Sequence, residues 1–331
     1  MTVLVTGGAG YIGSHMAWAL TDQREHVVVL DSLVRGNQWL VPPDAVFVQG
    51  DAGDTDLVTQ LIRDYNITDI IHFAGYIIVP ESVRDPMLYY AGNTDVSRRL
   101  IDTAARAGVE RFIFSSTASV YGMAGTGLLS ETLPTVPTNP YASSKLMTEM
   151  MLADISQATG LRYGVLRYFN VAGADPQGRT GHCAHEATHL IKVCCQAALG
   201  LRPGVDIFGT DYATPDGTCL RDYIHVSDLV EAHRLLLHDL RDGGENGVMN
   251  CGYGRGLSVR EVIAAVKDVS GTDFLVRETA RRAGDPISLI ADTSRLTARL
   301  GWTPKHDDLS GIVRSALDWD RHLASNAQKR A

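Results

Sequence analysis

Short apolar runs and amphipathic stretches alternate along the first half of the chain. Residues 3–5 are a β-branched run cut off at once by glycine, too short for a helix, and read as a buried strand. Residues 11–20 then carry a helical period. The same alternation recurs. Strands are expected at 26–30, 46–48, 69–73, 111–115 and 161–167, with helices at 54–65, 86–108 and 141–159. Asp54 or Thr55 can cap the second helix, and Gly108 and Gly160 stop the later two. Residues 32–44 have no period, contain Pro42-Pro43, and read as loop. Strands alternating with helices of this length predict an α/β fold built on a doubly wound parallel sheet. Ligands of such sheets sit outside the carboxyl ends of the strands. Those ends carry Gly7, Asp31, Asp51, Ala74, Ser115 and Tyr168. The second half is less regular. Residues 173–217 are rich in Gly, Pro, Asp and Thr, with a helical stretch near 187–199. A helix is expected after Ser227, a strand at 248–251, and amphipathic helices at 258–269 and 309–323. This predicts residues 1–172, joined by about 222–252, as one unit, and a smaller α/β substrate-binding lobe from 173–221 and 253–331.

The junction of the first strand and helix is Thr6-Gly-Gly-Ala-Gly-Tyr-Ile-Gly-Ser14, with Gly7, Gly8, Gly10 and Gly13. Such a turn needs backbone angles that a side chain blocks, close approach of the main chain to a pyrophosphate, and tight helix–strand packing. The helix N-terminus then offers free N–H groups to phosphate. Asp31 stands at the end of the second strand, where a carboxylate accepts from ribose hydroxyls and repels a 2′-phosphate. The pattern points to a Rossmann-type dinucleotide site that takes NAD. Arg35, four residues on, is the one feature that would invite a 2′-phosphate, and the carboxylate outweighs it.

Composition narrows the class. At 331 residues the chain can bury a large core, and 45% hydrophobic with 21% charged residues is ordinary for a globular protein. A net charge of −8 without a Lys/Arg cluster argues against a nucleic-acid surface. No apolar run reaches the ~18 residues of a membrane helix. The first strand begins at once, which reads as no signal peptide. Five cysteines without CxxC spacing, Cys194 and Cys195 adjacent, read as reduced thiols in a cytoplasmic protein. Residues from Ser325 are polar and expected to fray.

Tyr141 and Lys145 lie four apart on one expected helix and share a face. An ammonium beside a phenol, with a nicotinamide cation near, favours the phenolate and can bring its pKa toward working pH, making an acid/base catalyst. The hydroxyl-rich strand end Ser115-Ser-Thr-Ala-Ser-Val-Tyr-Gly122 precedes them, and Thr117 can bond a substrate hydroxyl undergoing oxidation.

Together these motifs resemble the extended short-chain dehydrogenase/reductase family. With Ile71-His-Phe-Ala-Gly75, Pro140-Tyr-Ala-Ser-Ser-Lys-Leu-Met147, Arg167-Tyr-Phe-Asn170, Ile207-Phe-Gly-Thr-Asp-Tyr212 and Asp216-Gly-Thr-Cys-Leu-Arg-Asp-Tyr-Ile-His-Val226, the likeness is to its UDP-hexose 4-epimerase branch and runs over almost the whole chain. The resemblance implies Tyr141, Lys145 and Thr117 as catalytic residues. It implies an NAD site of Gly7, Gly10, Tyr11, Ile12, Gly13, Asp31, Ser32, Asp51, Ala52, Phe73, Ala74, Gly75, Asn93, Ser115 and Tyr168 beside the Tyr–Lys pair. It implies UDP-sugar contacts at Thr117, Asn170, His189, Leu190, Phe208, Arg221, Arg282, Asp285 and Leu289. The implied reaction passes from UDP-galactose to UDP-glucose through a 4-keto sugar. The implied assembly is a homodimer packed through 86–108 and 141–159.

Three departures stand out. Ile77 occupies a position where the family often has lysine, His189 one where asparagine is expected, and Thr117 the catalytic serine position. Leu289, counted from Arg281-Arg-Ala-Gly-Asp285, falls where the family borders the sugar 2-substituent, and its intermediate size implies a preference for sugars without an N-acetyl group. His185-Glu-Ala-Thr-His189 has the H-E-x-x-H zinc spacing, thickened by His182 and Cys183, but no third ligand is evident and no metal is expected. Ala118-Ser119 replaces the acid pair a 4,6-dehydratase would need. Epimerases of another UDP-sugar (a pentose, a uronate or an N-acetylhexosamine) and a non-catalytic NAD-binding regulator remain the alternatives.

Overall fold

The computed structural model describes residues 1–330 apart from 124, 126, 184–186 and 283, and for 326–330 the backbone alone. Seven parallel strands form the main sheet: β1 (Thr2–Thr6), β2 (His26–Asp31), β3 (Val46–Gln49), β4 (Ile67–His72), β5 (Arg111–Thr117), β6 (Arg162–Tyr168) and β7 (Gly247–Cys251). Their order is β7-β6-β5-β4-β1-β2-β3. Register aligns their ends, since Thr6 lies opposite both Leu30 and His72, so the segments that follow β1, β2 and β4 emerge side by side. Alternation along each strand feeds two cores. Val3, Val5, Val27, Val29, Ile71, Ile113 and Leu166 pack against helices Tyr11–Asp22 and Val226–Arg241. Leu4, Val28, Leu30, Ile70, Phe112 and Val165 pack the other face against Val58, Leu61, Leu100, Ala104 and Leu152.

The second lobe has its own core, in which helices Leu190–Ala198, Val259–Ser270 and Leu309–Arg330 bury Ile191, Cys194, Cys195, Val262, Val266, Ile312 and Leu317. Strands Val205–Phe208 and Val276–Thr279 pair in parallel. Leu220–Arg221 lies between Leu257–Ser258 and Ser288–Ala291. All five cysteines are free thiols, four of them buried. Among the described residues no helix is long and apolar enough to cross a membrane.

Three local expectations change. Residues 86–108 are not one regular helix: Pro86–Tyr89 passes through a wide π turn, Tyr90–Asp95, before Val96–Arg106. The wide turn seats the buried Asn93, whose carboxamide accepts from Tyr76 N at 2.7 Å and donates to Tyr76 O at 3.0 Å, pinning the segment after β4. The loop at 32–44 contains a 3₁₀ turn, Gln38–Leu40, anchored by buried Leu40. The C-terminal helix, expected over 309–323, extends to Arg330.

Helix Pro140–Thr159 is capped by Asn139, whose side chain accepts from Ala142 N at 2.9 Å. It buries Tyr141, Lys145 and Glu149 at four-residue intervals. Glu149 bonds Ser116 Oγ on β5 and accepts from Arg167 Nε on β6 at 3.0 Å. Arg167 reaches Tyr121 OH at 3.1 Å, and Tyr121 donates to Asn250 Oδ1 at 2.7 Å. Both ions of the pair are buried. Arg167→Ala, which strands the Glu149 charge, is expected to cost about 3–5 kcal/mol in urea unfolding, while replacing both partners with apolar residues of similar volume should recover most of it.

Candidate active site

A cleft of about 1420 Å³ runs along the carboxyl ends of the strands and up against the second lobe. Pockets for one small ligand hold about 300–1,000 Å³, so this one has room for two nucleotide-sized molecules end to end. At the β1 end, Gly7 has φ +69°, and a Cβ there would lie 2.6 Å from Ala74 N. A Cβ on Gly13 would lie 2.2 Å from Gly7 O. The glycines therefore let the turn, the helix behind it and the Phe73–Ala74 crossing share one space. Asp31 is held by Ala9 N at 2.9 Å and Leu33 N at 2.8 Å, one to each carboxylate oxygen, leaving acceptor capacity toward the cleft. Asp51 Oδ1 accepts from Gly53 N at 2.6 Å. Gly10, Tyr11, Ile12, Ser32, Ala52 and Gly75 complete this wall. The cradle that a Cβ would fill, with a carboxylate beyond it, fits NAD.

At the β5 and β6 ends, Tyr141 lies buried in hydrogen-bond contact with Thr117. Burial pushes the phenol above its ordinary value, partly offset by the Thr117 hydroxyl. In the protein alone the phenol is made less acidic, because desolvation outweighs the Thr117 hydrogen bond. Lys145 donates to Ser115 O at 3.1 Å, lies 4.8 Å from the Phe114 ring centroid, and burial lowers its ammonium to about 8. Ser115 Oγ bonds Tyr168 OH.

The opposite wall comes mostly from the second lobe, with Asn170 from the end of the first unit. Asn170, Phe208, Arg221, Arg282, Asp285 and Leu289 face the cleft together. Arg221 pairs with Asp285, and the Arg282 guanidinium sits 3.6 Å over the Phe208 ring. Asp222 joins this wall to itself: its carbonyl accepts from Asn170 N at 2.9 Å and its amide donates to Leu289 O at 3.0 Å. Its carboxylate accepts from Tyr253 N, Gly254 N and Ala291 N at 2.8, 2.9 and 3.1 Å. His189 and Leu190 open helix Leu190–Ala198 at the cleft. The His182 ring stacks on Tyr11 at 4.9 Å and meets His189 edge-on at 5.1 Å. Burial lowers both histidines, which favours their neutral forms.

Three of the residues expected in the site do not form its surface. Asn93, Ser115 and Lys145 lie just behind the wall and act on it through Tyr76, Tyr168 and the β5 backbone. Ile77, where a lysine was the family's habit, lines the cleft as an exposed apolar side chain. Arg202, Arg277 and Tyr223 line it too and were not foreseen; a lone arginine or tyrosine in an irregular stretch carries no spacing signal. Of the H-E-x-x-H motif, His185 and Glu186 lie outside the described residues. Among the described residues no three His, Cys, Asp or Glu side chains converge as a metal site.

Fold and site thus define a dinucleotide-binding α/β protein with a tyrosine–lysine–threonine centre under a second lobe that presents Arg221 and Arg282 to the cleft. Residues 3–252 match the model of the NAD dependent epimerase/dehydratase family. The chain is 56% identical to the UDP-glucose 4-epimerase of Azospirillum brasilense, over 97% of this chain and 92% of that one. It superposes with TM-score 0.93 at 42% identity on UDP-glucose 4-epimerase from Brucella ovis in complex with NAD, covering 96% and 97% of the two chains. It superposes with TM-score 0.85 at 44% identity on the UDP-Glc/GlcNAc 4-epimerase of Campylobacter jejuni, covering 97% and 99%. The chain belongs to the NAD dependent epimerase/dehydratase family.

Tyr141→Phe should fold normally yet lose ~10²–10⁴ in kcat, the usual worth of a positioned proton-transfer group. Lys145 is charged below its pKa of about 8 and neutral above it. Support for the phenolate should therefore fade as pH rises through that value, and Lys145→Met should both lower kcat and remove this alkaline limb from the profile.

Proposed function

We propose that the chain interconverts UDP-galactose and UDP-glucose at C4, using tightly held NAD as a catalyst that the reaction does not consume. The observation that carries this is the union of Tyr141 and Thr117, backed by Lys145 bonded to the β5 backbone just behind them, with an arginine-bearing wall across one continuous cleft. NAD, when bound along Gly7, Gly10, Gly13 and Asp31, would supply a reversible hydride acceptor for C4 of the sugar. Tyr141 takes the proton of the 4-hydroxyl and later gives it back, and Thr117 holds that hydroxyl. Lys145 provides the positive charge that opposes the burial penalty on the phenolate. Arg221 and Arg282 suit the diphosphate, because a guanidinium fork donates two parallel bonds. In binding it they exchange present partners, Asp285 and the Phe208 ring, for the ligand. With affinity concentrated on UDP, the 4-keto sugar can turn over in a looser pocket. In this reading residues 1–172 and 222–252 serve NAD, and 173–221 with 253–331 serve the UDP-sugar.

The direct experiment is incubation with UDP-galactose and identification of the product, with mass spectrometry of the cofactor released on denaturation. UDP-glucose and NAD are the expected results; NADP would overturn the reading of Asp31, and absence of turnover with NAD bound would favour the regulatory alternative.

Two finer points belong to the same proposal. Exposed Met87 on helix Pro86–Tyr89 and Met147 and Met150 on helix Pro140–Thr159 suit burial against a second copy, giving a homodimer whose mass light scattering would read. Free thiols throughout suit a reducing compartment, in keeping with a cytoplasmic enzyme.

A second reading, activity on N-acetylated UDP-sugars, draws on Leu289, which lines the cleft without closing it as a larger ring would. UDP-N-acetylgalactosamine should react more slowly than UDP-galactose by a factor that an apolar size difference allows, about 10–200-fold. Leu289→Ser should narrow that gap, and an unchanged ratio would remove Leu289 as the determinant.

A further inference from the structure

The loop after β2 carries a cation for which the reaction has no use. Arg35 is the only Lys or Arg between Asp31 and Arg63, and it lines the cleft with Asp31 and Ser32. The backbone folds around the Asp31 carboxylate here. Leu33 has φ +60°, and a Cβ on Gly36 would fall 2.6 Å from Asp31 Oδ1. This is the place where a Rossmann-type protein meets the adenosine 2′ position, and a guanidinium there is the chemistry that receives a 2′-phosphate. Taken alone, Arg35 contradicts Asp31.

The guanidinium is already engaged. Arg35 Nη2 donates to Glu81 Oε1 at 3.1 Å and Oε2 at 2.8 Å. It also lies 5.7 Å from the Tyr76 ring centroid. Glu81, on helix Val79–Arg84, is itself fixed: Tyr89 OH lies 2.8 Å from Oε2, and Tyr89 is fully buried, with its hydroxyl also bonded to the Ile78 backbone. The acceptor for Arg35 is thus set in place from the core outward, through Tyr89, rather than by two flexible surface side chains meeting.

We propose that Glu81 is a cofactor-specificity residue. By holding Arg35 it withdraws the only cation of this loop from the 2′ position. Asp31 and Glu81 then favour NAD in different ways, one by facing the ribose and the other by occupying the arginine. This rests on the reading that the cleft holds NAD. The pair is partly exposed, with side chains 42% and 20% accessible, so a 2′-phosphate competes with an interaction of modest strength.

The test is a competition for cofactor. Purified protein is exchanged against an equimolar mixture of NAD and NADP, freed of excess, denatured, and the released cofactors are quantified by mass spectrometry. Wild type should release mainly NAD. Glu81→Gln keeps an oxygen for Tyr89 but removes the charge, and should raise the NADP:NAD ratio roughly two- to fivefold, the scale of one partly exposed charge interaction. Adding Arg35→Leu to that variant should return the ratio to the wild-type value. An unchanged ratio in Glu81→Gln overturns the proposal, as does a gain that survives loss of Arg35. Wild type that takes up NADP as readily as NAD would instead sink the reading of the cofactor itself, and this inference with it.

Discussion

The buried pair of Glu149 and Arg167 fixes the relation on which the chemistry depends. Helix Pro140–Thr159 buries mostly small or polar side chains against the sheet, with Leu152 its one fully buried large aliphatic, so apolar packing alone directs its register weakly. A charge pair with several directed hydrogen bonds admits one register. Glu149 reaches β5 through Ser116 and β6 through Arg167, and Lys145 and Tyr141 lie one and two turns back along the same helix face. The position of the phenol over the strand ends is therefore set two turns away from it, in a dry environment.

That dryness has an electrostatic cost at the centre. Burial works against the charged forms of both Tyr141 and Lys145, raising one and lowering the other. Thr117 offsets part of the penalty on Tyr141 through a hydrogen bond to the phenol. The free protein thus holds its acid/base group in reserve as a neutral phenol, and a cationic ring entering the cleft would shift the balance toward the phenolate.

The sheet was readable in the sequence because most of its strands, such as His26–Asp31 and Arg111–Thr117, are β-branched or aromatic runs ended by turn residues. The glycine turn and Asp31 were readable for the same reason: backbone geometry there admits few residues. The second lobe was less so. Its strands, such as Leu220–Arg221 and Ser288–Ala291, are short and polar-flanked, and they pair with partners far along the chain. The wide turn at Tyr90–Asp95 left no trace in the helical period, since it serves Asn93 rather than the core. The sugar-side residues were legible through family resemblance, because Arg221, Arg282 and Asp285 meet only in three dimensions. The opposing effects of burial on Tyr141 and Lys145 could not be read from spacing at all.

Asp222 has a consequence for how this wall can change. One residue fastens Asn170, Leu289, Ala291 and the Tyr253–Gly254 turn, using its backbone in both directions and its carboxylate three times over. A wall stitched at one point cannot be widened by sliding one strand, since every seam would open together. New sugar preferences are then reached by exchanging side chains on a fixed frame. The frame can stay constant while tolerance drifts, so relatives with the same backbone can differ in diet.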